Sequence, residues 1–460
     1  MNNKKIRPFG IRDEIGYTFG DIGGSFVNIF VDSFFLTFCT YVLGISAGWM
    51  AGLFLVARLW DAINDPIIGS FPDRWHIGKT TDKFKPYIKL FMLPLALSGI
   101  LCFLKVPFTG IALYAWVAFV YILCGMCYTG TSMPYGAMAS VISDNPLHRA
   151  ALSRDRSIGG MLVGMTFISL VAAVCFDSNN NILPERFTLM GIVAAIGCII
   201  SYTITLHNCE ERVHQPVRKE KYNYGKVLKQ AFHNRQLIGA MVATIGSCMY
   251  LTCTSQLRNY IYIEYYADAR ALSFVSLANM PLTLICFPFI PKLIQKLGKR
   301  TAVLGGAIFS LIVYGFLLFV PIQNAYIYSI INLTASIGQI IFVMCVWALV
   351  TDCLDYGEWK DGDRNDGSFY SIFTFARKLG NTISSSVSAS ALTMVGYVSG
   401  MNIVQTSETV AGIRILVCIM PVIAAAIEII GVGFIFTLDQ KTTDQMYAEL
   451  AERHRSGETE

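Results

Sequence analysis

The sequence predicts an all-α polytopic membrane protein, with twelve transmembrane helices in two six-helix bundles. Three observations carry that expectation. Of 460 residues 54% are hydrophobic and 15% charged, against about 25% charged in soluble proteins. The apolar residues fall in long blocks, each near the roughly 20 residues that a bilayer-crossing helix needs. A polar stretch from Asn208 to Arg235 divides the blocks into two equal halves, the pattern of parallel repeats that hold a substrate near the bilayer midplane.

Taken in order, the expected spans are 15–42, 47–71, 87–106, 110–140, 157–177, 186–207, 236–263, 271–291, 301–320, 324–351, 368–397 and 410–437. Each is a block of helical length with a high apolar content, and several are long enough to tilt or project beyond the bilayer. The organisation is then a bundle over 1–208, a linker over 209–235, a second bundle over 236–438 and a tail over 439–460.

Charge placement gives the orientation. Lys4, Lys5, Arg7 and Arg12 precede the first span, and Arg74, Lys79, Lys83, Lys85 and Lys89 fill the loop after the second. Seven Lys and Arg residues run from Arg212 to Arg235, whereas the opposite loops carry Lys105, Arg186 and Arg270. The positive-inside rule therefore puts both termini and the linker in the cytoplasm. The same bias accounts for the formal charge of +5, so no nucleic-acid partner is implied. The basic start feeds a full-length span without a small-residue cleavage signal, so the first helix is expected to stay uncleaved.

The thirteen cysteines are scattered through the spans and read as small apolar packing residues rather than a disulfide framework. Cys124-Gly125-Met126-Cys127 lies in an apolar helix without a second pair, which is not a metal-site pattern. No histidine falls in mid-membrane, and no phosphate-binding GxxxxGK[ST] loop occurs. Neither a histidine proton relay nor ATP drive is expected.

The most informative segment is Arg58-Leu59-Trp60-Asp61-Ala62-Ile63-Asn64-Asp65-Pro66, on an otherwise apolar helix that begins near Ala47. Asp61 and Asp65 share one helical face, about 5–6 Å apart at Cβ, with Asn64 on the same side. Two like charges in low dielectric need a bound cation or a captured proton to offset them. Arg58, three residues before Asp61, supplies only one compensating charge. On helix one, Asp21, Ser25, Asn28 and Asp32 recur at four-, three- and four-residue intervals. They form one polar stripe, the mark of a cavity-facing face.

Further motifs narrow the family. Gly69-x-x-x-Asp73-Arg74 and Lys296-Leu297-Gly298-Lys299-Arg300 occupy equivalent loops of the two halves, and both look like the short basic loops of the major facilitator superfamily. The helix-two segment, Lys83-Phe84-Lys85-Pro86, Tyr128-Thr129 with Met133-Pro134-Tyr135, Thr351-Asp352-Cys353-Leu354-Asp355-Tyr356-Gly357-Glu358-Trp359-Lys360 and Lys378-Leu379-Gly380 follow in that order. Together they resemble the glycoside–pentoside–hexuronide:cation symporters, the melibiose-permease-like group, over nearly the whole chain.

The resemblance implies a major facilitator fold and a secondary symporter, not an enzyme. It would import a glycoside or oligosaccharide with Na⁺, or with H⁺ or Li⁺, by alternating access. It implies a multi-pass monomer in the cytoplasmic membrane of a bacterium, in contact with lipid and needing no cofactor beyond the coupling ion. The cation set carries over to Asp61, Asn64, Asp65 and Thr129, oxygens suited to a hard cation. Lys378 matches a membrane lysine and Arg156 a family arginine, the latter with a plain anchoring role as its alternative.

The sugar residues depart from the melibiose pattern. The two galactoside-binding aspartates correspond to Ser25 and Ser132, and a family tryptophan becomes Gly136. Asp21 or Asp32, with Asn28, would instead supply the polar groups, and Tyr128, Ser132, Tyr135, Trp347 and Thr374 would complete the sugar contacts. Arg258 would select an acidic sugar, or else snorkel or pair with Glu264 or Asp32. Glu428 has no expected role beyond a buried hydrogen bond. The alternatives are a proton-only sugar symporter, a lipid or lysolipid carrier of the same fold, and a transport-dead sensor. Polar stripes on helices one and four disfavour the lipid carrier.

Overall fold

The structure is a computed structural model and describes residues 7–69, 71–75, 77, 82–143, 145–176, 182–212, 234–361, 366–400 and 403–456. Most of the expected linker, residues 213–233, lies outside these, as does Lys79 of the first basic loop. The chain folds into long helices: α1 (Ile11–Thr37), α2 (Ala47–Gly69), α3 (Lys85–Cys102), α4 (Ile111–Ile142), α5 (Pro146–Cys175) and α6 (Pro184–Asn208). They are followed by α7 (Arg235–Tyr260), α8 (Ala269–Leu297), α9 (Lys299–Phe319), α10 (Ala325–Asp361), α11 (Asp366–Met394) and α12 (Ser407–Ile429). A further helix, α13 (Gln440–Ser456), occupies the expected tail. The only β pairing among the described residues is an isolated Phe176–Ile182 bridge.

Ten of these helices are long and apolar enough to cross a membrane. The two expected spans not among them are also helices of 23 and 29 residues, α2 and α11. Their sequences explain the shortfall. Helix α2 carries Arg58, Asp61, Asn64 and Asp65, and α11 is rich in serine and threonine and carries Arg377 and Lys378.

The chain divides into two compact units, 1–219 with 398–404 and 220–397 with 405–460. In the first, α1 packs on α5 and α6, α3 on α4 and α6, and α2 on α4. In the second, α7 packs on α11 and α12, α9 on α10 and α12, and α8 on α10. The second scheme is the first advanced by six helices, as two parallel repeats require. Helices α1 and α7 also each run into a π-helical turn, Phe38–Val42 and Ile261–Tyr265.

Close approach by glycine holds α1 against its neighbours. Tyr135 of α4 lies flat over Gly20, and a Cβ added there would stand 2.3 Å from the Tyr135 ring. Tyr135 Oη donates to the Tyr17 carbonyl at 2.6 Å, and Tyr17 Oη donates back to the Tyr135 carbonyl at 3.3 Å. The two rings stack at 4.5 Å. Both hydroxyls are thereby satisfied in an apolar setting, where an unpaired one is costly. Gly20→Ala should break this reciprocal pair and destabilise the first unit by about 1–3 kcal/mol, the usual cost of overpacking. A thermal melt of the detergent-solubilised protein measures it, and an unshifted melting point would contradict the packing.

Within the expected tail, the helix Gln440–Ser456 packs in the second unit. Tyr447 of α13 and Lys299 of α9 both donate to the buried carboxylate of Asp352 on α10, the lysine at 2.6 and 2.8 Å. Trp359 Nε1 donates to Glu449 at 2.6 Å.

Candidate functional site

The polar stripe of α1 and the charged turn of α2 are joined within the first unit. At one end of the stripe, Asp21 Oδ1 lies 3.3 Å from Arg156 Nε of α5, and Ser25 Oγ donates to Asp21 Oδ2 at 3.4 Å. The Arg156 guanidinium stands 5.5 Å above the Tyr135 ring. Its Nη1 lies 3.1 Å from where a Cβ on Gly136 would be. The small residue at the family's tryptophan position thus makes room for this guanidinium. Arg156 is about half exposed and is tied to an acid and an aromatic face.

At the other end, Asn28 Nδ2 donates to Asp32 Oδ2 at 3.0 Å, and Asp32 Oδ1 lies 3.3 Å from Arg58 Nη2. Arg58 Nη1 in turn lies 3.6 Å from Asp61 Oδ2. Asp61 Oδ1 abuts α4, 3.4 Å from where a Cβ on Gly125 would be. One turn on, the buried Thr129 hydroxyl of α4 donates to Asp65 Oδ1 at 2.7 Å. Asn64 is buried beside them with its Nδ2 unpartnered.

Thus Asp65 and Thr129 are in direct contact, with Asn64 and Asp61 on the adjoining turns of α2. A hydroxyl and a carboxylate meet across the two helices, with an amide and a second carboxylate within one turn of α2, and oxygen donors of these kinds can hold a hard cation. The helical periodicity of α2 puts its three members on one face, and the small Gly125 lets α4 come close enough to bring Thr129 to them.

The remaining expected residues are distributed as follows. Tyr128 of α4 packs over Gly24 of α1, its Cε2 3.2 Å from where a Cβ would be. Ser132 is half-buried one turn further on α4. Tyr135 is buried with its hydroxyl committed to Tyr17, so it meets the site only as the ring beneath Arg156. Trp347, Thr374 and Lys378 belong to the second unit, on α10 and α11. There the Arg377 guanidinium stands 5.8 Å from the Trp347 ring, and Lys378 is exposed.

Two expectations for the second unit change. No ion pair joins Arg258 to Glu264 among the described residues, and Asp32 pairs with Arg58. Arg258 is surrounded instead by Tyr250, Tyr262, Tyr314 and Tyr328, with its Nε unpartnered. Glu428 is buried but its Oε1 has no hydrogen-bond partner, so the expected buried bond is absent there.

Three features escaped sequence reasoning: the Arg58–Asp32 bridge, the Tyr17–Tyr135 pair and the space that Gly136 leaves for Arg156. Each depends on the register of one helix against another. A cationic residue one turn from an acidic pair was the single visible signal.

Comparison with known proteins decides the family. Residues 16–440 match the family described as MFS/sugar transport protein. The chain belongs to that family. The transporter is 34% identical to the uncharacterized symporter YjmB of Bacillus subtilis, over 97% of this chain and 95% of the relative. It is 27% identical to a glucuronide carrier protein homolog of Escherichia coli, over 89% of each. Among solved structures, a D-xylose-proton symporter superposes with a TM-score of 0.63 at 12% identity, covering 94% of this chain and 98% of that one. That likeness shows the fold, a major facilitator fold. The transporter is thus a member of the glycoside–pentoside–hexuronide:cation symporter group and not an enzyme.

Proposed function

We propose that this sugar transporter is an Na⁺-coupled importer of a glycoside or oligosaccharide, with the ion at Asp61, Asn64, Asp65 and Thr129. The observation that carries the reading is the Thr129–Asp65 contact at 2.7 Å across α4 and α2, with Asn64 buried beside it. That set offers hard oxygen donors from two helices, so an ion bound there would bias the conformations in which those helices are packed. Li⁺ fits the same donors, and H⁺ would need only one of the carboxylates.

The sugar is assigned to the α1 stripe. Asp21, Ser25, Asn28 and Asp32 supply acceptors and donors for hydroxyls, Tyr128 and Ser132 of α4 flank them, and Arg156 supplies a positively charged fork. A relative described as a glucuronide carrier protein homolog makes an acidic sugar a natural candidate, since a guanidinium pairs bidentately with carboxylate. Both termini are assigned to the cytoplasm from the basic residues flanking the first span and preceding α7. The working unit is taken to be a monomer in the bacterial cytoplasmic membrane.

Membrane vesicles test the assignment. Labelled galactosides, xylosides, glucosides and glucuronides should be screened with an imposed Na⁺, Li⁺ or H⁺ gradient. Accumulation of at least one sugar above its external concentration, driven by Na⁺ or Li⁺, is the expected result. Accumulation that responds to an H⁺ gradient alone would replace this reading by the proton-only symporter, and transport of lysolipid but no sugar would replace it by the lipid carrier.

A further inference from the structure

Arg58 is held by two acids on different helices. Nη2 lies 3.3 Å from Asp32 Oδ1 on α1, and Nη1 lies 3.6 Å from Asp61 Oδ2 on α2. Its Nε is buried and has no hydrogen-bond partner. Both contacts are longer than the roughly 2.7–2.9 Å of a tight charge-assisted bond. The guanidinium is therefore divided between the two carboxylates, fully committed to neither. It keeps its charge under all conditions, and it touches one of the acids assigned to the coupling ion.

We infer that Arg58 is a tethered competitor of the coupling ion, and that Asp32, by drawing the guanidinium away from Asp61, sets the affinity for that ion. The inference rests on the assignment of the ion to Asp61 and Asp65. With Arg58 against Asp61, one of the two negative charges is already answered and an incoming cation meets a fixed positive charge. With Arg58 against Asp32, both carboxylates of α2 are available to the ion. Ion entry pushes the guanidinium onto α1, where Asp32 shares the polar stripe with Asn28, which donates to its other oxygen at 3.0 Å. Through this one side chain the ion on α2 alters the groups that α1 presents to a sugar. Such coupling is reciprocal: a sugar that engages Asp32 must alter the ion's affinity by the same factor.

Asp32 therefore acts as a positioning residue for an ion it does not touch, and this separates it from a simple sugar ligand. The test is isothermal titration of the purified full-length protein in nanodiscs with NaCl and LiCl, without sugar. Asp32→Asn should raise the Na⁺ Kd roughly tenfold, within the 5–150-fold range of such couplings, and Asp32→Glu should restore most of the loss. Arg58→Gln should lower the Na⁺ Kd, because the competitor is gone. In the Arg58→Gln background, Asp32→Asn should leave the Kd unchanged. An Asp32→Asn protein that binds Na⁺ as the parent does overturns the inference. So does an equal loss with and without Arg58, which would mean direct attraction of the ion by Asp32. If Asp32→Asn does not fold, Arg58→Gln decides alone, and Na⁺ binding no tighter than the parent's overturns the inference. A parent protein that binds neither Na⁺ nor Li⁺ overturns the cation site itself and this inference with it, whereas ion binding indifferent to Asp32 overturns only the inference.

Discussion

Asp65→Cys should abolish uphill sugar accumulation while leaving sugar equilibration across the membrane in place. Asp65 is buried and accepts the Thr129 hydroxyl at 2.7 Å, so the substitution removes a hard oxygen ligand and one of the two negative charges of the α2 face. Na⁺ dehydration is then no longer repaid by carboxylate oxygens, and the coupling ion is lost. The driving force at stake is large. One charge moving through 100 mV supplies about 2.3 kcal/mol, a concentration ratio of roughly 50. Without it the ratio should fall to about one. The sugar contacts assigned to α1, α4 and α5 are untouched, so counterflow exchange of sugar should survive. Thr129→Ala, which removes the neutral member, should reduce Na⁺ stimulation more mildly. A vesicle assay that measures accumulation and exchange in parallel checks both. Loss of accumulation and exchange together would mean that Asp65 is structural.

The largest effect on stability is expected at Asp13. This fully buried carboxylate accepts from Arg212 Nη2 at 2.9 and 3.0 Å and from Arg7 Nη2 at 3.0 Å. It also accepts from the backbone of Gly10 and Glu210, each at 3.3 Å. It thereby pins the start of α1 to the segment that leaves α6. Asp13→Ala strands two arginines beside a buried site, and breaking one partner of such a network costs about 3–5 kcal/mol. The melting temperature should drop by roughly 6–20 °C at 2–4 °C per kcal/mol. Combining Asp13→Ala with Arg212→Met should recover part of the loss, since the uncompensated charge is then gone. A melting point unchanged in the single variant, or a double variant worse than the sum of its parts, would contradict the network.

Much of the fold was legible because each span carries its own signal. Apolar runs of bilayer length mark α3 to α10 without reference to any partner. Helices α2 and α11 show the limit of that signal. Their polar residues lower their hydropathy, and only their place in the six-plus-six order identifies them as spans. The tail illustrates a different limit. Nothing local indicated that Tyr447 would reach Asp352, because that contact depends on how α13 docks against α10.

The candidate site divides in the same way. Asp61, Asn64 and Asp65 lie within five residues of one another, so helical periodicity alone places them on one face. Asp21, Ser25, Asn28 and Asp32 form a stripe for the same reason. What joins the two groups was not legible. Arg58 could be read as a partner of Asp61 from their spacing of three residues, but its hold on Asp32 requires the rotation of α1 against α2. Arg156 likewise could not be distinguished from an interfacial anchor until α5 placed it against Asp21.

Sugar-triggered ion movement tests the assigned cation site most directly. Radioactive Na⁺ influx should be followed in vesicles at zero membrane potential, before and after adding a sugar that the vesicle screen shows to be transported. Sugar should start net Na⁺ influx in the parent protein and none in Asp65→Cys. Sugar entry in the parent without any accompanying Na⁺ or Li⁺ influx would contradict the assignment of the ion to Asp61, Asn64, Asp65 and Thr129.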